Sequence, residues 1–381
     1  MEYRRLGRTD LQVGVIGLGA EHLEQAPYET VAAVTHEALD HGVNYIDLFM
    51  GSPGVRDNFG RALRGRRDKV LIAGHLGATW QDGQYVKSRD AAVCESFFHD
   101  LLRRLGTDYI DLLMLHYVDE PEDCARCLDP GGLLGQALRL REQGKARAIG
   151  MSTHAASAAM QAVACGRIDL IRFPVNPLFD LLPGDMDINA LWEEESYTGL
   201  RQSGAPAGDR LELHRACARL GVGIVAMKPY AAGWLFKPGV AGEAGLTPVQ
   251  CLSYALSQPG VCAAVPGCRS VEEMRAALAY LEAGEAERDY SGVARSPLWG
   301  PRGACLYCNH CLPCPAGIDI AAVMRLADAA GQVPTEELGS RYGALRAPAS
   351  ACTDCGLCRE RCPFGVDPPA GMRRAASVFG R

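Results

Sequence analysis

The stretch Ile110-Asp111-Leu112-Leu113-Met114-Leu115-His116 is a short, nearly continuous apolar run that closes on a histidine. Such a run, flanked by segments of helical periodicity, reads as a strand buried on both faces. Working outward, similar short runs recur near Val15–Gly17, Val43–Asp47, Val70–His75, Ala146–Ser152, Leu170–Phe173, Gly223–Met227 and Ala263–Pro266. Eight strands, each followed by a helix over roughly 250 residues or a little more, are the expectation for an α/β chain folded as a TIM (β/α)8 barrel. Ahead of them, Glu2-Tyr3-Arg4 and Leu11-Gln12-Val13 would form a small hairpin with Gly7 at its turn. The alternative is an open doubly wound sheet with Gly17-Leu18-Gly19 as its fingerprint. His22 stands where the third glycine of that G-x-G-x-x-G motif is required, which favours the barrel.

In a TIM barrel, chemistry gathers at the carboxyl ends of the strands. Four successive runs close on a polar residue there: Asp47, His75, His116 and Ser152. A lone histidine is more often structural, but four such residues on adjacent strands would face one mouth. His116 is the first candidate for donating a proton or a hydrogen bond to a substrate oxygen. His75 would stand beside it, and Asp47 would fix charge and orientation.

The last fifth of the chain carries eight of its sixteen cysteines in two runs, Cys305, Cys308, Cys311, Cys314-Pro315 and Cys352, Cys355, Cys358, Cys362-Pro363. The second is a full C-x2-C-x2-C-x3-C-P, and the first is one residue shorter before its fourth cysteine. In two-cluster ferredoxins three cysteines of a run bind one cluster and the fourth binds the other. The expected ligand sets are Cys305, Cys308, Cys311 and Cys362 for one [4Fe-4S] cluster, and Cys352, Cys355, Cys358 and Cys314 for its neighbour. Structural zinc and a disulfide framework are the competing readings. Residues 319–347 alternate at helical spacing between the runs, so the terminal module is expected to be ferredoxin-like and mostly α-helical. The domains are then residues 1–285, a connection over 286–303, and residues 304–381. One further pair, Cys124 and Cys127, is either a redox dithiol, half a metal site or a coincidence.

The 381 residues are 48% hydrophobic, enough for one large core and a small appended module. A net charge of −6 argues against nucleic acid and against an anionic membrane surface. The basic run from Arg61 to Lys69 reads as a solvated helix end. No stretch is apolar and long enough to span a bilayer, and the N-terminus shows no leader, so a reducing cytoplasm is the expected setting.

Residues 1–285 resemble the aldo-keto reductase family: Tyr3-Arg4-Arg5-Leu6-Gly7-Arg8-Thr9, Gly17-Leu18-Gly19, Gly42-Val43-Asn44-Tyr45-Ile46-Asp47, Gly60-Arg61-Ala62-Leu63, Leu113-Met114-Leu115-His116 and Val265-Pro266-Gly267 occur in family order. The cysteine-rich tail resembles that of the branch with a C-terminal ferredoxin-like domain. The resemblance implies reduction of a carbonyl on a small-molecule substrate by NADP or NAD, through a tetrad of Asp, Tyr, Lys and His. Asp47 and His116 match two members. Ser52 stands where the family places its tyrosine, and His75 where it places its lysine.

By the same resemblance Ser152 and Asn176 would hold the nicotinamide amide, with Met227 under its ring. Lys228 would meet the pyrophosphate, and Gly267, Arg269 and Ser270 an adenosine phosphate. Three readings of the whole remain: clusters relaying electrons at the barrel mouth, with a ferredoxin or flavodoxin as possible electron partner; a silent barrel in an electron-transfer or docking protein; and a plain reductase braced by its clusters.

Overall fold

The computed structural model describes residues 1–180, 209–296 and 303–381. Twelve strands are present among them: β1 (Tyr3–Arg5), β2 (Gln12–Gly14), β3 (Leu18–Gly19), β4 (Tyr45–Leu48), β5 (Leu71–Leu76), β6 (Ala78–Gln81), β7 (Gln84–Lys87), β8 (Ile110–Leu115), β9 (Ala146–Ser152), β10 (Leu170–Pro174), β11 (Gly223–Met227) and β12 (Val261–Ala264). Eight of them make one parallel sheet in the order β12-β11-β10-β9-β8-β5-β4-β3. Parallel bridges from Ile16 to Ala264 and from Gly19 to Gly267 join its two edges, so the sheet closes as a TIM barrel.

Strand periodicity separates two cores. In β8, Leu112 and Met114 point into the barrel and pack with Tyr45, Ala73, Ala148, Leu170 and Val225. Leu113 and Leu115 point outward into the helical layer. The interior is tight enough that a Cβ on Gly150 would stand 2.5 Å from Met114 Sδ, so only glycine fits there.

The expected hairpin of β1 and β2 closes the floor, the end where the parallel strands begin. Leu6, Leu11 and Val13 join the interior core, and Gly7, at φ +56, lies so near the start of β11 that a Cβ would be 2.5 Å from Gly223 N. A second hairpin, β6 paired with β7, follows β5 and was not among the strands read from the sequence.

The cysteine-rich C-terminal region is helical, with Ile320–Ala330, Glu336–Gly343, Leu357–Arg361 and Pro368–Phe379 as its α-helices. A Cβ on Gly371 would meet Met324 Sδ at 2.1 Å, so the glycine lets the first and last of these helices touch. This region docks on the floor end of the barrel. Arg5 pairs with Glu337 at 2.5 Å, Arg325 Nη1 donates to Ser257 O at 3.1 Å, and Tyr290 Oη donates to Leu306 O at 2.6 Å. Part of the connection expected over 286–303 lies outside the described residues, at 297–302.

Candidate active site and cysteine cavities

Inward register explains how the mouth is built. Each interior strand residue is followed two positions later by another inward one: Tyr45 by Asp47, Ala73 by His75, Met114 by His116, Gly150 by Ser152 and Leu170 by Arg172. The hydrophobic interior therefore ends, at the carboxyl ends of the strands, in a layer of polar groups.

Three of the expected residues form one hydrogen-bonded row. His75 Nε2 lies 3.0 Å from Asp47 Oδ1, and His75 Nδ1 lies 2.9 Å from His116 Nδ1. All three residues are buried. Two groups that sequence reasoning missed extend the row. Arg172 Nη2 forms an ion pair with Asp47 Oδ2 at 2.5 Å, and Tyr85 Oη, carried by β7, lies 2.7 Å from His116 Nε2. Asp82-Gly83 between two β-prone pairs is a turn signal in the sequence; Arg172 has none until closure of the barrel fixes its inward parity with Leu170.

Burial by itself would raise the Asp47 carboxyl, but Arg172 and the hydrogen bond from His75 outweigh it and hold the group below the usual carboxylate range. Burial lowers His75 in spite of Asp47. It lowers His116 well below the ordinary imidazole value, helped by His75, Arg172, Arg89 and His154. Tyr85 is pushed up to about 12, first by burial and then by Tyr117. Phe49 stacks on His116 with centroids 5.4 Å apart and meets Tyr85 edge-on, covering the row from the side. Arg89 Nη2 donates to the carbonyls of His116 and Tyr117 and so fixes the loop after β8.

The residues expected to bind a nicotinamide are only partly available. Ser152 ends β9, and Met227, the last residue of β11, belongs to the barrel interior. Lys228 follows at φ +52, its ammonium lowered by burial against the pull of Glu21. Asn176 Nδ2 donates to Lys228 O at 2.9 Å and its Oδ1 accepts from Phe179 N at 3.0 Å, so the amide ties a local turn to β11. The helix start at Arg269 and Ser270 is capped from within: Ser270 Oγ accepts from Glu273 N, and Glu273 Oε2 accepts from Arg269 N at 2.7 Å. Gly267 has its own reason to be glycine, since a Cβ there would stand 2.3 Å from the His22 ring. Ser52 Oγ is buried without a hydrogen-bond partner.

At the other end of the molecule two small cavities lie within the cysteine-rich region. Cys305, Cys308, Cys311 and Cys362 line one. Cys352, Cys355, Cys358 and Cys314 line the other, which Cys311 also borders. The first therefore takes three cysteines from one run and one from the other, and the second takes three from one run and two from the other. Burial pushes the thiols of Cys305 and Cys311 up to about 12. Among the described residues no three His, Cys, Asp or Glu side chains converge as on a single metal ion; the sulfurs rim a space instead.

None of the sixteen cysteines is in a disulfide. Cys124 and Cys127 are both buried in the core, with thiols raised to about 11 and 12 chiefly by burial, which makes them poor nucleophiles.

Residues 10–185 match the model of the aldo/keto reductase family, a stretch that ends before the cysteine runs. Aldo-keto reductase YhdN of Bacillus subtilis is 30% identical over 166 residues, covering 40% of this chain and 47% of that protein. Protein tas of Escherichia coli is 26% identical over 326 residues, covering 72% of this chain and 91% of that one. The holo form of aldo-keto reductase AKR11C1 from Bacillus halodurans shares the fold, with a TM-score of 0.58 at 21% identity over 79% of this chain and 98% of that one. The chain spans about half the length of the first of these curated relatives.

Proposed function

We propose, from the premise that the barrel is of the aldo/keto reductase family, that this protein is an NAD(P)-linked oxidoreductase interconverting a carbonyl and an alcohol on a small molecule. The observation that carries this reading is the buried row Asp47–His75–His116, closed by Arg172 at the mouth of the barrel. A bound nicotinamide would supply or remove the hydride. Ser152 and Lys228, at the ends of β9 and β11, are the residues best placed to hold it. The chain's own part is the proton. Asp47 orients His75, His75 orients His116, and His116 moves a proton to or from the substrate side. Phe49 keeps water off that row.

The C-terminal region is read as a ferredoxin-like module that would hold two [4Fe-4S] clusters, one by Cys305, Cys308, Cys311 and Cys362, the other by Cys352, Cys355, Cys358 and Cys314. The mixing of both runs around each cavity supports this, because a crossed ligand pattern is what two adjacent clusters require. Such clusters would store single electrons. The docking of this region on the floor favours a ferredoxin or flavodoxin as their exchange partner over direct relay to the mouth, and sixteen unpaired cysteines suit a reducing cytoplasm. Among the described residues no helix is long and apolar enough to cross a membrane.

The test is anaerobic. The purified chain should carry roughly eight iron atoms and turn over NADPH or NADH with small aldehydes and ketones, or the oxidised cofactors with the matching alcohols. His116→Ala should lower kcat/KM by about 100-fold or more. Clusters reduced only by a low-potential donor, with no nicotinamide-dependent turnover in either direction, would leave a silent barrel in an electron carrier.

A further inference from the structure

Within the row at the mouth, Tyr85 is the outermost group. It is 41% exposed, whereas Asp47, His75 and His116 are buried, so a substrate in the mouth meets its hydroxyl first. The direction of each hydrogen bond follows from what each atom can be. Asp47, ionised beside Arg172, is an acceptor only, so His75 Nε2 donates to it. Neutral His75 then accepts at Nδ1, and His116 Nδ1 donates. Neutral His116 is left with a lone pair on Nε2, and the Tyr85 hydroxyl donates to it at 2.7 Å. Burial keeps both imidazoles neutral near pH 7. All three protons of the row therefore point inward, and the phenolic oxygen turns its lone pairs to the mouth.

We infer that Tyr85, delivered by the hairpin of β6 and β7, is the acid–base group that meets the substrate oxygen, and that the resting row is set to take a proton from an alcohol. This rests on the oxidoreductase reading above and names the residue that meets its substrate. In the step, the hydrogen on the carbinol carbon leaves with its electron pair to an oxidised nicotinamide, and the carbon–oxygen bond becomes double. The hydroxyl proton passes to Tyr85 Oη while the proton of Tyr85 passes to His116 Nε2. The charge on His116 is shared through Nδ1 with His75, backed by Asp47, and the proton returns to solvent by way of Tyr85 after the product leaves.

Reduction by the same row needs His116 protonated beforehand. His75 on β5, Arg172 on β10, Arg89 after β7 and His154 after β9 all oppose that charge, while Asp47 lies one histidine further away and Asp119 and Asp123 are engaged by His154 and Arg89. Ser52 offers no rival path, because its hydroxyl is buried and unpartnered.

Nitrogen-15 NMR of the full chain labelled at histidine, without substrate at pH 7.5, should show His116 Nε2 bare of its proton, with a resonance that moves in Tyr85→Phe. The same variant should lose about 100-fold or more in alcohol oxidation, with unchanged melting and unchanged nicotinamide affinity by fluorescence. A protonated Nε2 at rest overturns the polarity. Full activity in Tyr85→Phe alongside loss in His116→Ala overturns the role of Tyr85 and leaves the oxidoreductase reading standing, whereas full activity in both variants removes that reading as well.

Discussion

Arg172 is a charged residue inside an otherwise apolar strand, with only 9% of its side chain exposed, and Asp47 is its counter-ion. Removing one partner of a buried pair strands the other, so Arg172→Ala should destabilise the barrel by about 3–5 kcal/mol in urea unfolding. It should also let the Asp47 carboxyl climb, because burial then works against a weaker opponent. Arg172→Lys keeps the charge and should recover part of both effects. Asp47, His75 and His116 were legible because each ends an apolar run. Arg172 was not, since Leu170–Phe173 reads as a strand whichever way its arginine points; only the alternation of inward residues, fixed once the barrel closes, turns it toward Asp47. At the nicotinamide positions, Asn176 and Ser270 carry suitable chemistry and also bond locally, to Phe179 N and Glu273 N.

At the level of elements, the hairpin of β6 and β7 matters most, because it carries Tyr85 over the mouth from outside the barrel ladder. Its turn is Asp82-Gly83, at φ +50 and +77. A Cβ on Gly83 would meet nothing within 4 Å, so Gly83→Ala costs only the left-handed backbone, about 1–2 kcal/mol. That cost falls on the hairpin alone. The barrel's melting temperature should stay where it is while kcat drops by up to about tenfold, the factor that 1.4 kcal/mol of local fraying allows. The strands of the barrel itself were readable from short apolar runs, two of them, β9 and β11, to the residue; the first run, Val15–Gly17, stopped just short of β3 at Leu18–Gly19, because its residues join the barrel only through an isolated bridge at Ile16. This hairpin was not, since it interrupts the alternation of strand and helix where a barrel expects a plain connection. The cysteine runs were readable in spacing; the docking of that region on the floor was not, because it depends on single contacts such as Arg5 with Glu337.

Across the whole molecule, His75, His116, His154 and His214 are all held below the ordinary imidazole value, chiefly by burial, His214 at about 3. In the unfolded chain each titrates near 6.5. Below that pH the unfolded state binds protons that the folded state refuses, so the stability these groups contribute is complete above pH 6.5 and is lost as pH falls. Each can cost up to about 2 kcal/mol by pH 5. Asp180, raised to about 7 chiefly by burial, works the other way, since its folded form takes up a proton first. Four groups against one leave a net loss, and urea unfolding should show less stability at pH 5 than at pH 7.5, by up to about 5 kcal/mol. The barrel mouth and the cysteine-rich region lie at opposite ends of strands as long as β9, whose seven residues span about 20 Å. A macromolecule seated on the floor side therefore does not compete for space with a small molecule entering the mouth. Saturating such a partner should alter the turnover number and leave the apparent affinity for substrate alone, the kinetic pattern of a non-competitive modifier.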